Sequence, residues 1–319
     1  MLISIVIPLF NEEEVLPSFH KSLAAMLQSL PHEYEVWYVV DGCTDGTSEI
    51  VLKAHKEDER IKLLELSRNY GHQAALTAGL DYATGDIVIT MDGDGQHPPN
   101  IIPKLIDAYE QGYDVVLTQR RSIGENSYFV KLFSRTFYKL INHLSDSAIV
   151  PDSADFRLLS KQVVEDIRSM NEQHRFLRGM ISWMGFRQII VPFDAPSRIA
   201  GRSKYSVRKR LGLATDAIFS FSIVPINLVI LLGFFLLIAA VGQIIYVLFV
   251  FLNLGRSGLP PGWASLMVVV LVIGGAQMLT LGLIGYYVGM TFQESKRRPL
   301  YFVNKRFSTL EHKHSPPES

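Results

Sequence analysis

The sequence predicts an α/β domain with a mostly parallel sheet, followed by helices long enough to cross a membrane. Two observations carry this prediction. Short apolar runs alternate with helical patterns as far as about residue 205, an order typical of βαβ units. Two long segments without a charged residue then follow, at residues 226–254 and 263–292. With 319 residues, the chain is long enough for about two domains.

Charge and cysteine content restrict the class of protein. The chain has 31 Lys and Arg against 31 Asp and Glu, so its net charge gives no reason to expect a nucleic-acid partner. The single cysteine, Cys43, cannot form an intrachain disulfide and fits a reducing compartment. The apolar run at residues 2–9 has no basic segment before it and no small-residue cleavage site after it, which favours a strand over a signal peptide.

Each strand is predicted from an apolar run bounded by polar, Gly or Pro residues. The predicted strands span residues 3–9, 35–40, 61–66, 87–91, 115–118 and 187–191. Asn11 is expected to cap the first helix, with Glu14 completing a capping box. The carboxyl ends of parallel strands meet at one edge of a sheet, where open α/β sheets bind their ligands.

Two carboxylates, Asp92 and Asp94, end the predicted strand at residues 87–91. On a regular strand this spacing would point both side chains to one face. Two oxygen donors held together suit a hard divalent cation that also binds substrate phosphates. An isolated Asp-x-Asp is more often a plain acidic turn than a metal site, so the other strand ends must decide between these interpretations.

Further charged residues follow the predicted sheet strands. Asp152, Asp155 and Arg157 stand beside apolar residues, which favours a positioned loop over random surface. Arg120 directly follows a strand, and Arg135 belongs to a basic stripe on a predicted helix. That stripe is either a solvated face or a surface that attracts an anionic head group.

The second half of the chain predicts a membrane protein. Residues 198–210 are strongly basic and lead into an apolar-striped helix, which indicates a segment at an anionic membrane surface rather than a packed helix with a solvated end. About 27 helical residues span roughly 40 Å, enough to cross a bilayer core of about 30 Å. Basic residues flank the two apolar segments, so the positive-inside rule predicts cytoplasmic termini. The expected organisation is a catalytic domain at 1–205, a juxtamembrane amphipathic helix at 206–224, two transmembrane helices within 225–292 and a cytoplasmic tail at 293–319.

Taken in order, the motifs resemble those of family 2 glycosyltransferases, specifically the polyprenyl-phosphate glycosyltransferases related to dolichyl-phosphate mannose synthase and the bactoprenol glucosyltransferases. The resemblance covers nearly the whole chain and rests on residues 7–12, 41–47, 66–75, 85–86, 91–99, 152–158, 174–176 and 201–205. It implies a GT-A fold, a Rossmann-like sheet that binds a nucleotide-sugar together with a divalent metal.

The resemblance also implies residue roles. Contacts to the nucleotide-sugar are expected from Pro8, Phe10, Glu12, Asp41, Arg68 and Asp92. Mg²⁺ or Mn²⁺ would be held by Asp92, Asp94 and Gln96. Phosphate oxygens of the diphosphate or acceptor would be held by Arg120, Arg135, Arg202 and Lys204. The residues expected at the catalytic centre are Asp94, Asp152, Asp155 and Arg157. The family pattern is not kept at Val40, Cys43, Gly95 and Ala154, and none of these departures removes a metal ligand.

The implied reaction is inverting transfer of a hexose to polyprenyl phosphate, such as undecaprenyl phosphate, at the cytoplasmic membrane face, by a homotetramer. UDP-glucose is the first expected donor, and GDP-mannose and UDP-N-acetylglucosamine are the alternatives. A processive polysaccharide synthase is disfavoured because the chain has no Gln-x-x-Arg-Trp motif. A non-catalytic scaffold would not need Asp92 and Asp94, and a nucleotidyltransferase would need a Gly-rich, Lys-containing loop after the first strand.

Overall fold

The computed structural model describes residues 1–120, 153–173, 175–194, 224–254 and 262–310. The described residues form two compact units, one made of residues up to 194 together with 298–310, the other of 224–254 and 262–297. The basic segment at 198–210 lies outside the described residues. So do four of the predicted site residues, Arg135, Asp152, Arg202 and Lys204.

A twisted sheet of seven strands forms the centre of the first unit in the described part of the chain. Its strands are β1 Leu2–Leu9, β2 Glu33–Val40, β3 Ile61–Glu65, β4 Ile87–Thr90, β5 Val115–Arg120, β6 Ser153–Ser160 and β7 Gln188–Phe193. Their order across the sheet is β3-β2-β1-β4-β6-β5-β7. All neighbours are parallel except β6, which is antiparallel to both β4 and β5. The predicted α/β class with a mostly parallel sheet is therefore confirmed.

Helices connect the strands and cover the sheet. They are α1 Leu16–Gln28, α2 Thr47–Glu57, α3 His72–Tyr82, α4 Ile102–Glu110, α5 Lys161–Ser169 and α6 Leu177–Trp183. The buried faces of α1 and α4 contribute to the same apolar core as the inner faces of β1 and β2. Burial of these apolar faces against a central sheet is the main favourable contribution to folding.

The capping box predicted for α1 is wrong. The helix begins at Leu16, and Val15 occupies the N-cap position without a side-chain cap. Asn11 instead adopts a left-handed backbone conformation with φ 54°. Its Oδ1 accepts the backbone N–H of Thr44 at 2.9 Å. The Asn11 side chain therefore joins the loop after β1 to the loop after β2, a contact over 33 residues that local spacing does not encode.

The segment around Asp155 and Arg157 was expected to be a loop, and the structure corrects this. Both residues lie on β6, which is inserted between β4 and β5. Thr90 of β4 stands opposite Arg157 in the register. Two buried charges are unusual in a central strand, but here they are two residues apart on one face and neutralise each other.

The outer edge of β3 is covered by residues 303–309, which follow the second long apolar helix in the described part of the chain. Val303 forms a bridge to Leu66, just beyond the end of β3. The backbone N–H of Asn304 donates to the Glu65 carbonyl at 2.7 Å, and that of Thr309 donates to the Leu63 carbonyl at 2.9 Å. Unpaired edges of sheets are prone to pairing with other chains, and this segment occupies the edge.

The second unit consists of two long helices in its described residues, α7 Val224–Leu254 and α8 Trp263–Ser295. Within the described residues, one stretch is long and apolar enough to cross a bilayer, Val272–Ser295 in α8, and none of it is buried. A membrane-spanning helix is thus supported for α8 by length and composition. The expectation of a two-span arrangement remains a proposal.

Candidate active site

The two carboxylates predicted to bind a metal lie in a turn directly after β4. The strand ends at Thr90, so strand geometry no longer applies to Asp92 and Asp94. The turn is instead fixed by hydrogen bonds: the backbone N–H of Asp92 donates to His97 Nδ1 at 2.8 Å, and that of Gln96 donates to Asp94 Oδ1 at 3.0 Å. Asp92 Oδ1 is buried without a hydrogen-bond partner. A buried carboxylate oxygen with unused lone pairs is suited to a cation.

Two glycines shape this turn, Gly93 through its close packing against β1 and Gly95 through its backbone conformation. A Cβ on Gly93 would lie 2.3 Å from Leu9 Cδ2, so a side chain there would push the turn away from the strand. Gly95 has φ 76°, in the left-handed region that favours glycine. The departure from the family pattern at Gly95 therefore suits the backbone conformation of this turn.

His97, which the sequence interpretation did not single out, holds the backbone of Asp92 in place through a hydrogen bond. Its ring is buried, stacks on Phe156 at a centroid distance of 5.3 Å and meets the edge of Phe193 at 6.0 Å. Burial lowers the pKa of His97, and the charges of Asp92 and Asp94 offset this only in part. The neutral ring can therefore accept the Asp92 N–H through Nδ1. Its position inside the Asp-Gly-Asp-Gly-Gln-His motif is the signal that could have identified it.

A buried ion cluster lies beside this turn, centred on Asp155. Arg178 binds its carboxylate with two hydrogen bonds, Nε to Oδ1 at 3.0 Å and Nη2 to Oδ2 at 2.7 Å. Arg157 forms an ion pair with the same carboxylate from two residues along β6. Burial alone would raise the pKa of Asp155, but the two guanidinium groups outweigh it and hold the pKa well below its usual value. Asp155 is therefore an ionised anchor for two arginines.

His72 links the two carboxylate groups. Its Nε2 lies 3.4 Å from Asp155 Oδ2 and 3.6 Å from Asp92 Oδ1. Burial lowers the pKa of His72, but the hydrogen bond to Asp155 and the charge of Asp92 raise it more, so its pKa is raised overall. As the first residue of α3, His72 is held in place by the packing of that helix on the sheet, where Gly79 approaches Val6 closely.

A third group of predicted residues lies at the ends of β1 and β2. Asp41 is buried, and its two oxygens accept the backbone N–H groups of Tyr70 at 2.7 Å and Gly71 at 2.8 Å. This fixes the loop before α3, in which the Arg68 guanidinium lies 4.0 Å from the centroid of the Tyr70 ring. Phe10, after β1, is 39% exposed. The arrangement leaves an aromatic and a cationic side chain at the surface, where they could contact a base and a phosphate.

The remaining predicted residues are placed as follows. Pro8 is buried within β1, opposite Val39 of β2. Glu12 donates its backbone N–H to Thr47 Oγ1 at 3.0 Å, at the start of α2. Arg120 is the exposed last residue of β5, and its positive charge lowers the pKa of His97.

The structure thus brings predicted residues of the turn after β4 together with those of β6, and adds three that the sequence interpretation did not name. These are His72, His97 and Arg178. For Arg178 no sequence signal was available, because its partner Asp155 is 23 residues away on another element.

The residues present fit a hard divalent cation. Within the described residues, no group of three His, Cys, Asp or Glu side chains is arranged to hold a metal ion. The turn offers two carboxylates, Asp92 and Asp94, with the Gln96 amide as a third oxygen donor. Mg²⁺ is commonly bound by one or two carboxylates, with phosphates and water completing its coordination. The orphaned Asp92 Oδ1 is the observation that favours such an ion.

Comparison with known proteins gives a consistent family. The glycosyl transferase family 2 model matches residues 4–168. An uncharacterized glycosyltransferase of Synechocystis is 38% identical over 95% of this chain and 94% of its own length. A bactoprenol glucosyl transferase of Shigella phage SfX is 36% identical over 96% of this chain and 100% of its own length. Mannosyl-3-phosphoglycerate synthase from Rubrobacter xylanophilus shares the fold, with a TM-score of 0.51 at 13% identity over 68% of this chain and 72% of that one. The chain belongs to glycosyl transferase family 2 and is a glycosyltransferase.

Proposed function

We propose that the chain transfers a hexose, with glucose from UDP-glucose as the first candidate, to a polyprenyl phosphate at the cytoplasmic face of a membrane. The observation that carries the proposal is the end-to-end similarity to bactoprenol glucosyl transferases, whose name refers both to a polyprenyl lipid and to glucose. The similarity covers 96% of this chain, so it includes apolar helix residues as well as the sheet unit.

The donor side of the site follows from the strand-end residues. Asp92, Asp94 and Gln96 would hold Mg²⁺ or Mn²⁺, which when bound neutralises negative charge on the diphosphate leaving group. The exposed Phe10 ring and the Arg68 guanidinium, together with Pro8, Glu12 and Asp41, would contact the base and ribose. Arg120, at the end of β5, would hold phosphate oxygens.

The acceptor side needs no strong general base. The second pKa of a phosphate monoester is near 6, so at pH 7 the acceptor is mostly a dianion. One of its oxygens attacks the anomeric carbon in line, the bond from that carbon to the diphosphate breaks, and the configuration inverts. Asp155 is ion-paired with Arg157 and Arg178, and its low pKa makes it a poor proton acceptor. We assign Asp155 to holding the arginines, and leave Asp152, Arg135, Arg202 and Lys204 as acceptor or phosphate contacts on the family resemblance.

A lipid acceptor fits the second unit. Val272–Ser295 is long enough for a membrane span, and Val224–Leu254 would provide the second one. The basic residues at 198–210 would then bind the anionic cytoplasmic leaflet, with both termini on that side. The resemblance to two-span bacterial members makes a homotetramer part of the proposal, which light scattering of the detergent-solubilised chain would measure directly.

The decisive experiment uses the purified full chain in detergent with Mg²⁺ and undecaprenyl phosphate. Separate reactions contain UDP-glucose, UDP-N-acetylglucosamine and GDP-mannose, each labelled in the sugar. We expect butanol-extractable label from UDP-glucose and loss of transfer on adding EDTA. Label from GDP-mannose alone would change the sugar but not the reaction class. No extractable label from any donor would contradict the proposal.

A further inference from the structure

The segment at residues 301–309, here called the docking segment, does more than cover a sheet edge. Two of its side chains accept backbone N–H groups of β3, Thr309 Oγ1 from Leu63 at 2.8 Å and Ser308 Oγ from Glu65 at 3.0 Å. These bonds join residues about 245 positions apart in the chain, so the segment is a specific part of the folded unit.

The docking segment also contacts the loop at residues 67–71, which leads from β3 to α3. The backbone N–H of Ser67 donates to the Phe302 carbonyl at 2.8 Å. From the other side, Asp41 accepts two backbone N–H groups of the same loop. Gly42 also lies close to the backbone of that loop. A Cβ on Gly42 would lie 2.3 Å from the backbone nitrogen of Asn69. The loop is therefore held between the end of β2 and the docking segment.

A third contact reaches the helix that follows this loop. The Tyr301 hydroxyl donates to Asp81 Oδ2 at 2.7 Å, in the last turn of α3. Asp81 is partly buried, and its carboxylate is paired through this hydroxyl. Since α3 begins with His72, the docking segment contacts both the loop before the helix and the opposite end of the helix.

We propose that the docking segment positions the loop at residues 67–71 for binding the nucleotide of the donor. Tyr301, Ser308 and Thr309 are then positioning residues that act through this loop, which carries Arg68. The inference rests on the proposed function, in which that loop contacts the nucleotide-sugar. Beyond the proposed function, the inference states that the affinity for the donor depends on residues that follow α8 in the sequence.

The test uses the full chain in detergent and two variants, Tyr301→Phe and the double variant Ser308→Ala with Thr309→Val. Each removes hydroxyl contacts and leaves the backbone pairing possible. The primary readout is the Kd for UDP-glucose by titration calorimetry, with KM for the donor, KM for undecaprenyl phosphate and kcat measured alongside. Hydrogen exchange at Leu63, Glu65 and Ser67 reports whether the segment stays docked.

We expect Kd and KM for UDP-glucose to rise about three- to tenfold, the range that corresponds to the loss of one or two hydrogen bonds. The KM for undecaprenyl phosphate and kcat should change less than about twofold. Lys305→Ala, an exposed change in the same segment, should behave as wild type. Thr309→Ser, which keeps the hydroxyl that accepts the Leu63 N–H, should retain the wild-type affinity for UDP-glucose.

Faster exchange at β3 with unchanged donor affinity would overturn the inference, because the segment would then only protect the edge. An equal fall in donor and acceptor affinity would also overturn it. A wild-type chain that binds UDP-glucose but transfers nothing to the lipid would contradict the proposed acceptor alone, and the variants' Kd values would still decide the role of the docking segment.

Discussion

The turn carrying Asp92 and Asp94 and the cluster around Asp155 lie side by side, but their carboxylates differ in how far they are paired with other groups of the protein. Asp92 and Asp94 are half-buried, and Asp92 keeps a buried oxygen without a hydrogen bond. Asp155 is buried, with two arginines and a histidine around its carboxylate. The difference indicates a division of roles. Asp92 and Asp94 are available to bind a cation, whereas Asp155 is already neutralised by Arg157 and Arg178 and supports the site.

The largest effect is expected from Asp94→Asn. Transfer should fall at least about 100-fold, because a bound metal contributes several kcal/mol to stabilising the leaving diphosphate. The free energy of unfolding should change by less than about 0.5 kcal/mol, since an asparagine Oδ1 can still accept the Gln96 N–H. Steady-state kinetics and thermal melting check this. Asp107→Asn, an exposed change on α4, is the matched control, and full transfer by Asp94→Asn at saturating Mg²⁺ would remove the metal assignment.

Asp155→Asn should do the reverse and act first on stability. The change leaves the guanidinium of Arg157, which is 2% exposed, without its anionic partner. Breaking a buried ion pair from one side costs about 3 kcal/mol or more. Chemical unfolding of the detergent-solubilised chain measures the loss. If the variant were as stable as wild type, the cluster would not be the support that its geometry suggests.

His72→Gln tests whether the two regions are coupled. The His72 ring lies within 3.6 Å of both Asp92 and Asp155, and an amide of different shape is not expected to keep both contacts. We expect transfer to fall about tenfold, corresponding to about 1.4 kcal/mol. In a double-mutant cycle with Asp92→Asn, the two effects should be non-additive by about 0.5 kcal/mol or more. Simple additivity would mean that the turn and the cluster act independently.

The smallest effect concerns acid pH. The pKa of Asp155 is lowered in the folded chain, so its ionised form stabilises the fold at pH values above about 3.9, the pKa of an unperturbed aspartate. This stabilisation should be lost as pH falls below that value towards the folded pKa, by at most about 1.4 kcal/mol per pH unit. Melting curves between pH 6 and pH 3 would show this slope in wild type and in Asp107→Asn. Asp155→Asn should lack that part of it.

Much of the fold could be predicted from the sequence because it follows from local patterns. The apolar runs of β1 to β5 and the helices between them need only their own residues and neighbours to be recognised. Asp92 and Asp94 were identified as a candidate metal site for the same reason, since they directly follow an apolar strand. The position of a carboxylate at a strand end is a local property.

Strand β6 was missed because its sequence contains charged residues that are typical of a surface loop. Asp155 and Arg157 can be buried in a central strand only because they pair with each other and with Arg178, which offsets the loss of hydration. The capping box predicted at Asn11 was wrong for a related reason. The Asn11 side chain accepts the backbone N–H of Thr44, in the loop after β2, and does not cap its own helix.

The α/β class, the first five strands along the chain, the apolar segments after residue 224 and the carboxylates that follow β4 could all be recognised from the residues alone. The folded chain adds which carboxylates are already neutralised, that His72 lies between Asp92 and Asp155, and that residues 301–309 pair with β3. Periodicity reports which face of an element is buried, because that depends on each residue and its near neighbours. Contacts between residues as distant as Leu63 and Thr309 depend on how the elements are arranged in space, which no local pattern records.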